Sequence, residues 1–131
     1  MWTSALVGAA LVEAFGAMPD RPIYSPSPNV LLPADGGDGR PFDIVSLSAV
    51  ILGRSAPARV EVLTWARHKA ARRLRTAAAA YGIDRGAQRR RVALTLQRLA
   101  DELNAAGIRL ARWPGAEAYR MRDRSGPRAA K

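Results

Sequence analysis

An apolar stripe in residues 85–104 constrains the fold of this 131-residue chain more than any other feature. Val92, Leu96, Leu99 and Leu103 fall on one line of a helical wheel drawn at about 100° per residue. Such a stripe is typical of a long helix that packs one face against a core. Asp84 is a suitable N-cap residue, so the spacing predicts a helix that begins at the next residue.

A short alanine-rich helix is predicted immediately before the long one. Gly82 suits the left-handed backbone of a tight turn, and Ala78 lets two helices approach closely. Short helix, glycine turn and long helix over residues 76–104 have the layout of a helix-turn-helix. The same pattern also describes an ordinary helical hairpin with solvated arginines, so the charge distribution has to decide between them.

Charge is divided unequally along the chain, whose net charge is +10. Residues 1–53 hold two basic and five acidic side chains, whereas residues 54–131 hold nineteen basic and six acidic ones. A codon bias towards Arg and Ala would not explain why the first part is acidic. The asymmetry favours a polyanionic partner for the second part, and we expect double-stranded DNA.

Arginines in two sets are the candidate DNA-binding residues. The first turns of a recognition helix reach base edges, so Arg85, Arg89 and Arg90 are predicted to read bases in the major groove. Other basic side chains are expected to bind phosphates and set the register. The candidates are Arg67, Arg72, Arg73, Arg75, Arg91, Arg98, Arg109, Arg112, Arg120 and Arg122.

The N-terminal part divides into a helix and an arm. Residues 1–18 contain an amphipathic helix whose stripe includes Leu6, Val7, Leu11 and Phe15, and which ends before Pro19. The stripe packs either on the rest of the domain or on a second copy, which makes the 3–18 helix a candidate homodimer interface. Residues 19–41 are rich in Pro and Gly and are predicted to be an arm or linker.

Residues 42–122 are predicted to form a mainly α-helical bundle with a C-terminal helix-turn-helix. Within residues 107–122, Ile108 and Leu110 alternate with basic or small residues, and a Pro-Gly turn at 114–115 precedes a second alternating run. This pattern predicts a β-hairpin wing, as in winged-helix proteins, and the alternative is a frayed basic tail. Residues 123–131 are expected to be disordered.

Several classes of function are disfavoured by what the sequence lacks. It contains no Cys and one His, so no thiolate or multi-histidine metal site is expected. The acids are scattered and no phosphate loop is present, so we expect neither an enzyme nor a cofactor. No apolar run is long enough to span a membrane, and Glu13 interrupts the first one, so we expect a cytoplasmic, nucleoid-associated bacterial protein.

The stretch GIDRGAQRRRVALTLQRL resembles the promoter-reading helix-turn-helix of sigma-factor region four. The resemblance lies in Ala78, Gly82, Ile83, Gly86, Ala87, Arg91, Val92 and Leu99. It implies that Arg85, Arg89 and Arg90 face DNA, although Gln88 stands where that family usually has a buried aliphatic residue. The resemblance is confined to the helix-turn-helix, and the polymerase-binding region of a sigma factor is absent.

The whole layout is more loosely similar to small phage and prophage proteins of alphaproteobacterial type. In these, a proline-rich part leads to a terminal helix-turn-helix that closes on "LN", as Leu103-Asn104 does here. Members are thought to be regulators or small terminase-like packaging proteins. The resemblance implies a phage-type transcriptional regulator, with a DNA-packaging or adaptor protein as the alternative.

Overall fold

The computed structural model describes residues 1–23, 42–116 and 119. In this part of the chain there are five α-helices and one short 3-10 helix at Leu110–Arg112. No residue in the same part belongs to a β-strand, which confirms the predicted mainly helical class. The α-helices are α1 (Ser4–Ala17), α2 (Ile44–Leu52), α3 (Pro57–Ala70), α4 (Leu74–Tyr81) and α5 (Arg85–Ala105).

The ends of α4 and α5 follow local sequence signals. Gly82 ends α4 in the left-handed conformation, with φ 65° and ψ 34°. The Asp84 carboxylate accepts a hydrogen bond from the backbone N–H of Ala87 at 3.0 Å, so α5 begins at Arg85 as predicted. Both helices therefore lie where the alanine run and the apolar stripe indicate.

Helix α1 lies at the centre of the bundle and packs on α2, α3 and α5. Val7, Leu11 and Phe15 are almost completely buried there. Because the chain's own helices cover most of its apolar stripe, the 3–18 helix does not present that stripe to a second copy. Met18, the residue that follows α1, is exposed.

The predicted wing is wrong wherever the structure describes it, which is residues 107–116 and 119. Ile108, Leu110, Trp113 and Ala116 are all buried in the core, at spacings of two or three residues. This spacing suits a turn followed by helical residues, because it places every apolar side chain on the same side. The alternation seen in the sequence comes from a short segment that folds back onto the bundle. Residues 117, 118 and 120–122 of the predicted wing lie outside the described residues.

A buried arginine joins α2 to α3. Arg59 is 3% exposed, and its guanidinium donates to Ser48 Oγ at 2.9 Å and to the backbone oxygen of Ile23 at 2.8 Å. Further donation goes to the carbonyls of Arg54 at 3.0 Å and Val45 at 3.2 Å. Burial lowers the pKa of Arg59, and the charges of nearby arginines add to that effect. This side chain ties the residues after α1 to the α2–α3 turn.

Candidate nucleic-acid interface

The first two turns of α5 carry the three predicted base-reading residues. Arg85, Arg89 and Arg90 are exposed, and from Arg85 to Arg91 the helix buries only Gln88. Among the residues that the structure describes, none of these three arginines makes a hydrogen bond or ion pair. Their guanidinium groups are therefore available to a ligand in solution.

Gly86 leaves space beside one of these arginines. A Cβ atom built on Gly86 would lie 3.7 Å from Arg90 Nη1 and 3.5 Å from Asp84 Oδ1. The guanidinium of Arg90 therefore extends back along α5 towards its N-terminus. This brings it to the same end of the helix as Arg85.

Three further arginines lie at the corner between α3 and α4. Arg72, Arg73 and Arg75 are all exposed, and the corner is closed by a hydrogen bond from Arg73 N to His68 O at 2.8 Å. Arg72 has φ 58°, the one non-glycine residue with positive φ among those described. An arginine in this conformation is strained, because the left-handed region suits glycine. The corner therefore presents three positive charges at the start of α4.

Arg67, which was predicted to bind phosphate, points towards α1 instead. Its Nη2 atom donates to the backbone oxygen of Arg21, and its Cζ atom lies 5.1 Å from the centre of the Phe15 ring. Its Nε atom is buried without a partner within the described part of the chain. The guanidinium is thus packed on α1.

Arg91 and Arg98, two more predicted phosphate contacts, already have partners on neighbouring helices. Arg91 forms an ion pair with Glu61 of α3 at 2.8 Å, and the hydrogen bonds that Arg91 donates to Glu61 raise the pKa of Arg91. Arg98 Nη2 lies 3.5 Å from the carbonyl oxygen of Ile51, a long contact. Of these two arginines, Arg91 makes the shorter contact, in an ion pair whose arginine side chain is 56% exposed.

The remaining predicted phosphate contacts lie in the C-terminal segment. Arg109 is exposed, and Arg112 is half-buried in the 3-10 helix. Arg120 and Arg122 lie outside the described residues. Arg109 and Arg112 therefore lie beyond the C-terminal end of α5, about 30 Å along the helix axis from Arg85.

An aromatic pair at the end of α4 was not predicted from the sequence. The rings of His68 and Tyr81 stack with centroids 6.5 Å apart and planes 13° apart, and Tyr81 is 74% exposed. Burial lowers the pKa of His68, and the charges of Arg73 and Arg67 add to the effect. No short-range sequence pattern links a residue of α3 to one of α4, so this pair could be identified only from the fold.

Comparison with protein-family models, curated proteins and solved structures finds no match to this chain. Within the described ranges, no cluster of three or more His, Cys, Asp or Glu residues could hold a metal ion. The same residues include no helix that is long and apolar enough to cross a membrane.

Proposed function

We propose that the protein binds double-stranded DNA by inserting the N-terminal half of α5 into the major groove, as a phage-type transcriptional regulator. The observation that carries this proposal is the exposure of Arg85, Arg89 and Arg90, unpaired among the described residues, on the first two turns of one helix. Exposed arginines that lie close together repel one another, and a polyanion relieves that repulsion. Duplex DNA supplies a dense array of such anions.

The distribution of paired and unpaired arginines supports the same surface. Arg59, Arg67 and Arg91 are each bonded to the protein itself. Six exposed arginines lie at the α3–α4 corner and at the start of α5, which α4 and its turn connect. In the proposed complex, the corner arginines bind phosphates while α5 enters the groove. The corner set is Arg72, Arg73 and Arg75.

Spacing along α5 suits recognition of bases. Arg85 and Arg89 are four residues apart, which separates them by about 6 Å along the helix axis. Successive base pairs are about 3.4 Å apart, so the two side chains reach bases about two steps apart. An arginine that donates two hydrogen bonds to guanine discriminates against other bases by about 1–3 kcal/mol.

An acidic protein is the other polyanion that this surface could bind, in which case the chain is a DNA-packaging or adaptor protein. The two functions differ in their response to duplex sequence. A DNA reader prefers some duplexes over others, whereas an adaptor binds DNA weakly and without preference. A preference among duplexes therefore favours a regulator associated with the nucleoid, and its absence favours an adaptor with a protein partner.

Three arginine variants test the proposal by fluorescence anisotropy with labelled duplexes. One duplex is obtained by selection from a random library, and a second has random sequence and equal length. Arg89→Ala should reduce the preference for the selected duplex. Arg73→Ala should lower the affinity for both duplexes by the same factor. Arg54→Ala removes the same charge from the α2–α3 turn and serves as the matched control. Equal effects of all three variants on both duplexes would refute the assigned roles.

A further inference from the structure

The ion pair between Glu61 and Arg91 lies beside the proposed DNA-binding surface. Arg91 Nε donates to both oxygens of the Glu61 carboxylate, at 3.1 and 2.9 Å, and Nη2 lies 2.8 Å from Oε2. A guanidinium that meets a carboxylate at several atoms fixes direction as well as distance. This contact therefore restrains how α5 is rotated relative to α3.

Little else restrains the first two turns of α5. Gln88 is the residue that they bury, and the apolar stripe begins at Val92, next to the ion pair. On α3, Glu61 likewise precedes the fully buried Val62. The buried stripe from Val92 onward fixes the rotation of the rest of α5, so the ion pair beside Val92 acts on the two turns that precede this stripe. The ion pair closes this interface at the end from which Arg85, Arg89 and Arg90 project.

The position of Arg91 on the helix separates it from the base-reading residues. Each residue advances by about 100° around the axis, so Arg91 and Arg89 point in directions about 160° apart. When Arg91 is held against α3, Arg89 is turned away from that helix. A small rotation of α5 would move the proposed base contacts by a comparable angle.

We infer that Glu61 and Arg91 are positioning residues that set the orientation of α5 for sequence recognition, and that Arg91 is not a phosphate contact. This inference rests on the proposed DNA-binding function. It replaces the role expected for Arg91 from the sequence, because Glu61 engages Nε and Nη2, the edge of the guanidinium that makes two-point contacts with an anion. Glu61, an acid on a basic surface, thereby acquires a function in binding DNA.

A charge swap separates positioning from direct contact. Glu61→Ala and Arg91→Ala should each reduce the ratio of affinities for selected and random duplexes at least about fivefold, the loss of roughly one base contact. The double variant Glu61→Arg/Arg91→Glu keeps the net charge and restores an ion pair between α3 and α5. It should recover most of that ratio. Glu102→Ala, an exposed acid at the far end of α5, is the control for the change in charge.

Failure of the swap has a clear meaning when circular dichroism shows that the double variant is folded. If Arg91 binds phosphate directly, a glutamate there repels DNA, and the double variant binds every duplex more weakly than Arg91→Ala does. If Glu61→Ala raises the affinity for both duplexes as much as Glu102→Ala does, Glu61 acts only through its charge. Either result overturns the inference.

Amide hydrogen exchange on the free protein provides a readout that does not require DNA. Glu61→Ala should accelerate exchange severalfold in the first two turns of α5, and the swap should slow it again. Unchanged exchange would overturn the positioning role. If the wild-type protein shows this pattern of exchange but binds no duplex, the proposed function fails while the restraint on α5 stands.

Discussion

The side-chain amide of Asn104 binds both backbone polar groups of Trp2. Its Oδ1 atom accepts from Trp2 N at 2.8 Å, and its Nδ2 atom donates to Trp2 O at 2.9 Å. The indole Nε1 of Trp2 also donates to the carbonyl oxygen of Ile108 at 3.1 Å. Trp2, two residues before α1, is thus bonded to the last turn of α5 and to the segment after it.

Replacement of Asn104 by alanine should lower the free energy of unfolding by about 1–3 kcal/mol, because two partly buried backbone groups lose their partner. Asn104→Asp keeps the acceptor and loses the donor. Its free energy of unfolding should therefore lie between those of the wild type and Asn104→Ala. Urea denaturation measures both. Gln97→Ala is the control, since Gln97 is exposed and bonds to Asp101 within α5. If Asn104→Ala is as stable as the control, the hydrogen bonds between Asn104 and Trp2 do not contribute to the stability of the fold.

Arg59 should be more important for stability than any exposed arginine. Arg59→Ala removes the donor for Ser48 and for three backbone carbonyls, so we expect a loss of at least about 2 kcal/mol in the free energy of unfolding. Arg59→Lys should be only a partial replacement, because an ammonium group cannot span the same set of acceptors. Arg54→Ala, in the neighbouring turn, should change stability by less than about 0.5 kcal/mol. Equal thermal denaturation of the Arg59 and Arg54 variants would contradict this account.

The strained backbone of Arg72 predicts opposite changes in stability and binding. Arg72→Gly relieves the positive φ and should stabilise the fold by about 0.5–1 kcal/mol, while the lost charge weakens DNA binding. Arg72→Ala loses the same charge but keeps the strain. The two variants should therefore bind DNA equally and differ in melting temperature. Equal melting temperatures would show that the left-handed conformation is not costly here.

The features that the sequence predicted correctly depend on short-range signals. Asp84 caps α5, Gly82 provides a left-handed residue, and Val92 to Leu103 repeat at helical spacing. Each signal acts within a few residues, so it can be read without knowledge of the fold. The start of α5 was predicted for this reason.

The features that the sequence did not predict depend on distant contacts. The end of α3 carries no glycine, because Arg72 takes the left-handed position there. Apolar and polar residues alternate in residues 107–116 as in a strand. The apolar side chains nevertheless all pack on one side, against Trp2 and the core. Arg67 and Arg91 differ from Arg89 only in what other helices place beside them. Sequence spacing does not reveal that Phe15 lies beside Arg67 or that Glu61 pairs with Arg91.

The salt dependence of duplex affinity tests the central claim most directly. If the exposed arginines neutralise about six phosphates, a plot of log affinity against log salt has a slope of about −5. Affinity for the selected duplex should then fall about a thousandfold between about 50 and 200 mM salt. Removing Arg73 should make the slope shallower by about one unit. A flat salt response, or no binding to duplex DNA at 50 mM salt, would contradict the proposal that this protein binds DNA.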